Sequence, residues 1–238
     1  MLSRLPSALS CALAFSLLAG CGPDAAPPPA PDQAAAPAET SPAEPVLAPA
    51  GDYRVDPAHT TLLFRVSHLG FSHYTARFDD VDARLKFDPA APGNSSVTAT
   101  IKTASLQLPS PPPGFEAEIE GPDWLDAARY PEITFRSTRV EPTGPRSARI
   151  TGDLTLHGVT RPVVLEASFN GGYAGHTLEP QARIGFSAHG TFNRSDFGIA
   201  YGVPAPGTNL GVSDAVEVIV ETELNGPPWK GANASPAG

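Results

Sequence analysis

Thr61-Leu62-Leu63-Phe64-Arg65-Val66-Ser67-His68 places Leu62, Phe64, Val66 and His68 on one face and Leu63, Arg65 and Ser67 on the other. A period of two is the mark of a strand, because successive side chains leave a pleated backbone on opposite sides. The same period recurs along the chain. It runs through Val81, Ala83, Leu85 and Phe87, and through Val97, Ala99 and Ile101. It returns at Ile133 and Phe135, at Ile150, Leu154 and Leu156, and at Val163, Leu165, Ala167 and Phe169. Ile184, Phe186, Ala188 and Phe192 continue it, and Val216, Val218 and Val220 close it. The turns between these runs use residues that accept tight backbone: Asp88-Pro89 to Gly93-Asn94, Glu141-Pro142-Thr143-Gly144, His157-Gly158 and Asn170-Gly171-Gly172.

About eight or nine antiparallel strands follow from this pattern. Only residues 115–128 have helical character, with Phe115, Ile119 and Leu125 on one side and Pro122-Asp123 as a break. One or two short helices capping an open end of the sheet are expected there. The inward positions mix Phe and Leu with Ala, Gly and Thr. Such uneven bulk favours an up-and-down barrel with room inside over a two-sheet sandwich, whose facing layers need matched bulk.

The ends of the chain have another composition. Residues 8–19 are apolar, follow a single cation at Arg4 and lead into Leu18-Ala19-Gly20-Cys21. The apolar run is too short to span a bilayer and has the dimensions of a signal-peptide core. Residues 1–20 are therefore expected to be a lipoprotein signal peptide, with Cys21 as the acylated N-terminus and membrane anchor. Position 22 is glycine rather than aspartate, which by resemblance to the sorting signals of Gram-negative lipoproteins implies the outer membrane, facing the periplasm. Residues 21–51, rich in Pro and Ala, read as a disordered linker, 52–225 as the folded domain and 226–238 as a disordered tail. The only other cysteine, Cys11, lies in the leader, so neither disulfides nor thiolate metal sites can support the domain. A formal charge of -9 without any Lys/Arg cluster argues against a nucleic-acid partner.

Five motifs occur in order. They are Tyr53-x-x-Asp56-x-x-His59 leading to Phe64-x-Val66-x-His68-x-Gly70; Asp123-Trp124-Leu125-Asp126 with Tyr130-Pro131-x-Ile133-x-Phe135-x-Ser137; residues 152–162, Gly-Asp-Leu-Thr-Leu-His-Gly-Val-Thr-Arg-Pro; Asn193-Arg194-Ser195-Asp196-Phe197-Gly198; and Ser213-Asp214-x-Val216. In these the chain resembles the YceI-like family of bacterial proteins from about Tyr53 to Leu224. The resemblance implies a lipocalin-like barrel enclosing an isoprenoid lipid, a polyprenyl lipid or a quinone, with no common catalytic set and no cofactor beyond the bound lipid. Pro109 to Pro113 and Val203-Pro204-Ala205-Pro206 depart from the family pattern near the expected cavity mouth.

On this reading Phe64, Val66, His68, Phe135, Leu154, Phe169, Phe186, Arg194 and Phe197 are the candidate ligand contacts. His59 and His68 are nine residues apart, hence on opposite faces, and cannot readily share a metal. His59 is expected to hydrogen-bond near the strand start, with Asp56 as partner. Arg194 either locks its loop, in an ion pair or turn with Asp196, or faces a phosphate or quinone oxygen. Ser195 lacks the Gly-x-Ser-x-Gly setting of a hydrolase nucleophile. The function expected is noncatalytic binding, sequestration or transport of an isoprenoid lipid in the cell envelope. The competing readings are an interaction module with a filled barrel and an enzyme acting on a lipid or quinone.

Overall fold

The computed structural model describes residues 48–230. Ten strands run in chain order: β1 (Gly51–His68), β2 (Ser72–Phe78), β3 (Val81–Phe87), β4 (Ser96–Lys102), β5 (Leu106–Gln107), β6 (Glu132–Gly144), β7 (Ser147–Leu156), β8 (Val159–Tyr173), β9 (Gln181–Asn193) and β10 (Val212–Pro228). All pairings are antiparallel, and β1 and β10 close the sheet on itself. Strand β2 pairs with residues 62–68 of β1 and β3 with residues 51–54, so the two together form one bent stave. The two-residue β5 only extends β2. The result is the expected all-β barrel of eight staves, too few to leave a wide aqueous pore.

The register sets the inner faces level with one another. Leu62, Phe64 and Val66 of β1 stand opposite Val220, Val218 and Val216 of β10, and Phe135 of β6 opposite Leu154 of β7. One end of the barrel carries the β1–β2 turn, residues 103–131, the β7–β8 turn and residues 194–211. The other carries the β3–β4, β6–β7 and β8–β9 connections and both ends of the described chain.

The β7–β8 connection shows how sequence fixes a tight turn. His157 and Gly158 both have positive φ, 52° and 73°, as a two-residue type I′ hairpin requires. The Tyr130 ring occupies the place that a Cβ on Gly158 would need, so glycine is demanded twice.

Two expectations are corrected. Composition predicts a disordered tail from residue 226, yet β10 runs to Pro228, which pairs with Gln181, and Trp229 N–H donates to Pro180 O. Gly226-Pro227-Pro228 reads as coil, but Gly226 leaves the space the Tyr53 ring fills. At the other end composition extends the linker to residue 51, yet Gly51 is already in β1 and Ala48 is buried. Of residues 115–128 only α1 (Phe115–Ile119) is helical; the following residues form hydrogen-bonded turns. The signal peptide, Cys21, most of the linker and residues 231–238 lie outside the described residues.

Candidate functional site: an apolar chamber open at one end

The barrel is hollow. A cavity of about 780 Å³ runs through its upper and middle parts, within the range of about 300–1,000 Å³ usual for small-molecule sites. Its wall is built from the inward faces of the staves: Leu62, Phe64 and Val66 from β1, Val97, Ala99 and Ile101 from β4, and Val216, Val218 and Val220 from β10. Among the described residues no Asp or Glu lines it, and Arg194 is its one Lys or Arg.

The exposed members of the wall mark the mouth. They are His68, Pro109, Ser110 and Pro112. The opening therefore lies between the β1–β2 turn and the proline segment that leads into α1. Leu69 N–H donates to Gly211 O at 2.9 Å, tying that turn to the loop before β10. Phe71 and Leu210, 84% and 79% exposed, stand on these two tied loops.

The opposite end is plugged. Tyr53, Phe87, Ala182, Ile184 and Leu224 form a buried cluster with Ala48, packed against Leu85, Phe169 and Phe186. The Phe87 and Phe169 rings stack at 6.0 Å, and Phe186 meets both edge-on at 6.1 and 5.4 Å. The Tyr53 hydroxyl donates to Pro49 O at 2.7 Å, and burial pushes its pKa up to about 12. Beyond this stack lies a second, smaller cavity of about 130 Å³.

Polar groups are few and most are engaged. Arg194 is 4% exposed and donates to the carbonyl oxygens of Ser213, Ile199, Tyr201 and Val212 at 2.7–3.0 Å, with its guanidinium 5.0 Å from the Trp124 ring centre. Burial lowers its pKa from the ordinary arginine value, while the field of Asp214 opposes that shift. A buried cation needs partners, and here the main chain supplies them. Asp214 in turn accepts from the Ser195 backbone N–H at 2.9 Å and hydroxyl at 2.7 Å. The Arg194-Ser195 and Ser213-Asp214 motifs thus clasp one another. Arg194 locks its loop as expected, but through carbonyl oxygens rather than Asp196. Ser195 is spent on a carboxylate, with no histidine bonded to it.

Seven of the nine candidate contacts line the chamber: Phe64, Val66, His68, Phe135, Leu154, Phe186 and Arg194. The other two lie elsewhere. Phe169 belongs to the plug, and Phe197, 1% exposed, is packed under the loop against Phe192 with ring centres 5.2 Å apart. Sequence reasoning misses Tyr74 and Phe78 on β2 and the wall position of Trp124, whereas the proline segment expected near the mouth does line it, from Leu108 to Pro112. The period of Tyr74, Ala76 and Phe78 is a usable signal; Ala76 faces Phe64 in the register. Burial, and secondly the negative field of Glu116, raise the pKa of Tyr74 at the mouth.

His59 Nδ1 lies 3.0 Å from Asp56 Oδ2, and with Glu223 these residues bring potential metal-ligand atoms within 4.8 Å of one another. Arg183 contacts Asp56 at 3.3 Å and Glu223 at 2.6 Å, so a cation is already there and the cluster is an ion network beside the β1 bulge.

The sequence profile of the YceI-like domain matches residues 53–224. The chain belongs to the YceI-like family. A UPF0312 protein of Pseudomonas savastanoi pv. phaseolicola is 43% identical over 152 residues, covering 63% of this chain and 77% of the relative. Among solved structures, BcnA of Burkholderia cenocepacia superposes with a TM-score of 0.59 at 26% identity, covering 71% of this chain and 98% of BcnA. A polyisoprenoid-binding domain from Saccharophagus degradans shares the YceI-like fold with a TM-score of 0.54 at 13% identity, covering 75% of this chain and all of that domain.

Proposed function

We propose that this chain is a noncatalytic carrier of an isoprenoid lipid, tethered through Cys21 to the bacterial envelope and facing the periplasm. The observation that carries this reading is the large apolar chamber, hollow at about 780 Å³ and open at one end. A filled interior would have favoured the scaffold reading. The polyisoprenoid-binding domain of the same fold supports the choice of ligand, and Phe71 and Leu210 at the lip suit a mouth that meets a lipid phase.

The energetics favour reversible loading. Moving an isoprene unit from water into the chamber is worth roughly 3–4 kcal/mol, at about 0.8 per carbon group. The donor, however, is a membrane in which the chain is already dry. Net exchange is then near balance and is decided by packing, head contacts and chain ordering. His68, Tyr74 and Ser110 are the polar side chains placed at the mouth to meet a head group, while the tail occupies the apolar wall below.

Organic extraction of the purified domain followed by mass spectrometry tests this. A prenyl lipid is expected in wild type and absent from Phe64→Asp protein that retains its strand circular dichroism. A wild-type protein that yields no such lipid and takes none up from vesicles would overturn the proposal.

A further inference from the structure

The smaller chamber adjoins the larger, and the two share Leu85, Val97, Ile150, Ala167 and Phe186 on their walls. Of the three rings in the plug, Phe87 and Phe169 line only the lower chamber, whereas Phe186 lines both. The Phe186 ring is thus the aromatic partition between them. It is braced from below by Phe169 at 5.4 Å and Phe87 at 6.1 Å.

The lower chamber has apolar wall from Leu85, Val97, Val140 and Ile150 next to the partition, with Ser96, Pro142 and Arg146 at its exposed outer rim. At about 130 Å³ against 780 Å³ it would add about a sixth to the upper one. A chain with its polar end at His68 and Tyr74 meets apolar wall on the way down. The Thr60 and Thr222 hydroxyls it passes satisfy one another at 2.8 Å, so they offer the tail no competing polar site.

Resting on the isoprenoid reading above, we propose that Phe186 is the stop that sets the longest prenyl chain accepted, and that the lower chamber is a tail subsite this ring keeps closed. The ring acts sterically. Its edge-on contacts with Phe169 and Phe87 hold it across the passage between the two chambers.

The test is a chain-length profile. Full-length protein is titrated with a series of all-trans prenyl alcohols in matched vesicles, and the longest chain bound is recorded. Phe186→Ala should accept chains longer by at least one isoprene unit, and Phe186→Val should move the cut-off the same way should the alanine variant fold poorly. Phe186→Met, close to the original volume, should keep the wild-type cut-off. Phe169→Ala enlarges the lower chamber without touching the upper wall and should also leave it unchanged. A cut-off that stays fixed in Phe186→Ala or Phe186→Val while wild type binds the series overturns the stop and leaves the carrier intact; so does an equal shift in Phe169→Ala. Wild type that binds no member of the series removes the carrier reading, and the stop with it.

Discussion

The start and the middle of strand β9 carry the same residue in opposite circumstances. Ala182 is fully buried among Tyr53, Phe87, Ile184 and Leu224, while Ala188, also facing inward, lines the open chamber. At the closed end apolar side chains meet one another and gain both burial and dispersion contacts. In the chamber, similar side chains face empty space, and their contacts await an occupant. The barrel thus divides into a filled plug and a hollow chamber whose wall is only partly packed, with Ile133, Phe135, Leu154 and Val163 forming a second buried cluster within it.

The largest effect that would break this division is loss of a plug ring. Phe87→Ala should destabilise the barrel by about 3–5 kcal/mol, the usual range for a packed aromatic, whereas Phe64→Ala on the chamber wall should lose less than half as much. Urea midpoints measured on delipidated protein would show it, and equal losses would refute the contrast. The next effect sharpens it with one substitution at two places. Ala182→Leu should cost about 1–3 kcal/mol through overpacking. Ala188→Leu should leave the denaturation midpoint nearly unchanged and reduce lipid uptake. The smallest concerns the Tyr53 hydroxyl. Its pKa is raised to about 12 in the folded chain, against about 10 unfolded. The stability from keeping it neutral is therefore fully present below about pH 10 and is lost as pH rises toward about 12. Tyr53→Phe should flatten the alkaline arm of a Tm-versus-pH curve, while forfeiting about 1 kcal/mol from the bond to Pro49 O.

Much of the fold could be read directly. The alternating runs became staves, and their apolar positions point inward as expected. What alternation cannot supply is height. Phe135 and Phe169 read alike in sequence, yet one lines the chamber and the other sits in the plug. Side-chain period fixes the face of a strand, whereas position along the barrel axis follows from the stagger between strands. The same limit hid the plug's ends: Ala48 and Gly226 lie in Pro/Gly/Ala-rich stretches that look like coil, and only their contacts with Ile184, Leu224 and the Tyr53 ring explain their order.

Sequence by itself determined the antiparallel strands, their inward faces, the His157-Gly158 turn and the family motifs, because these depend on local conformational preference and on spacing along the chain. The tertiary structure alone decided that a large chamber lies on one side of Phe186 and a packed plug with a small cavity on the other, that Arg194 is satisfied by carbonyl oxygens, and that the mouth opens beside the β1–β2 turn. Those properties arise where residues far apart in the chain meet, and the shape of the space between them is written in no single segment.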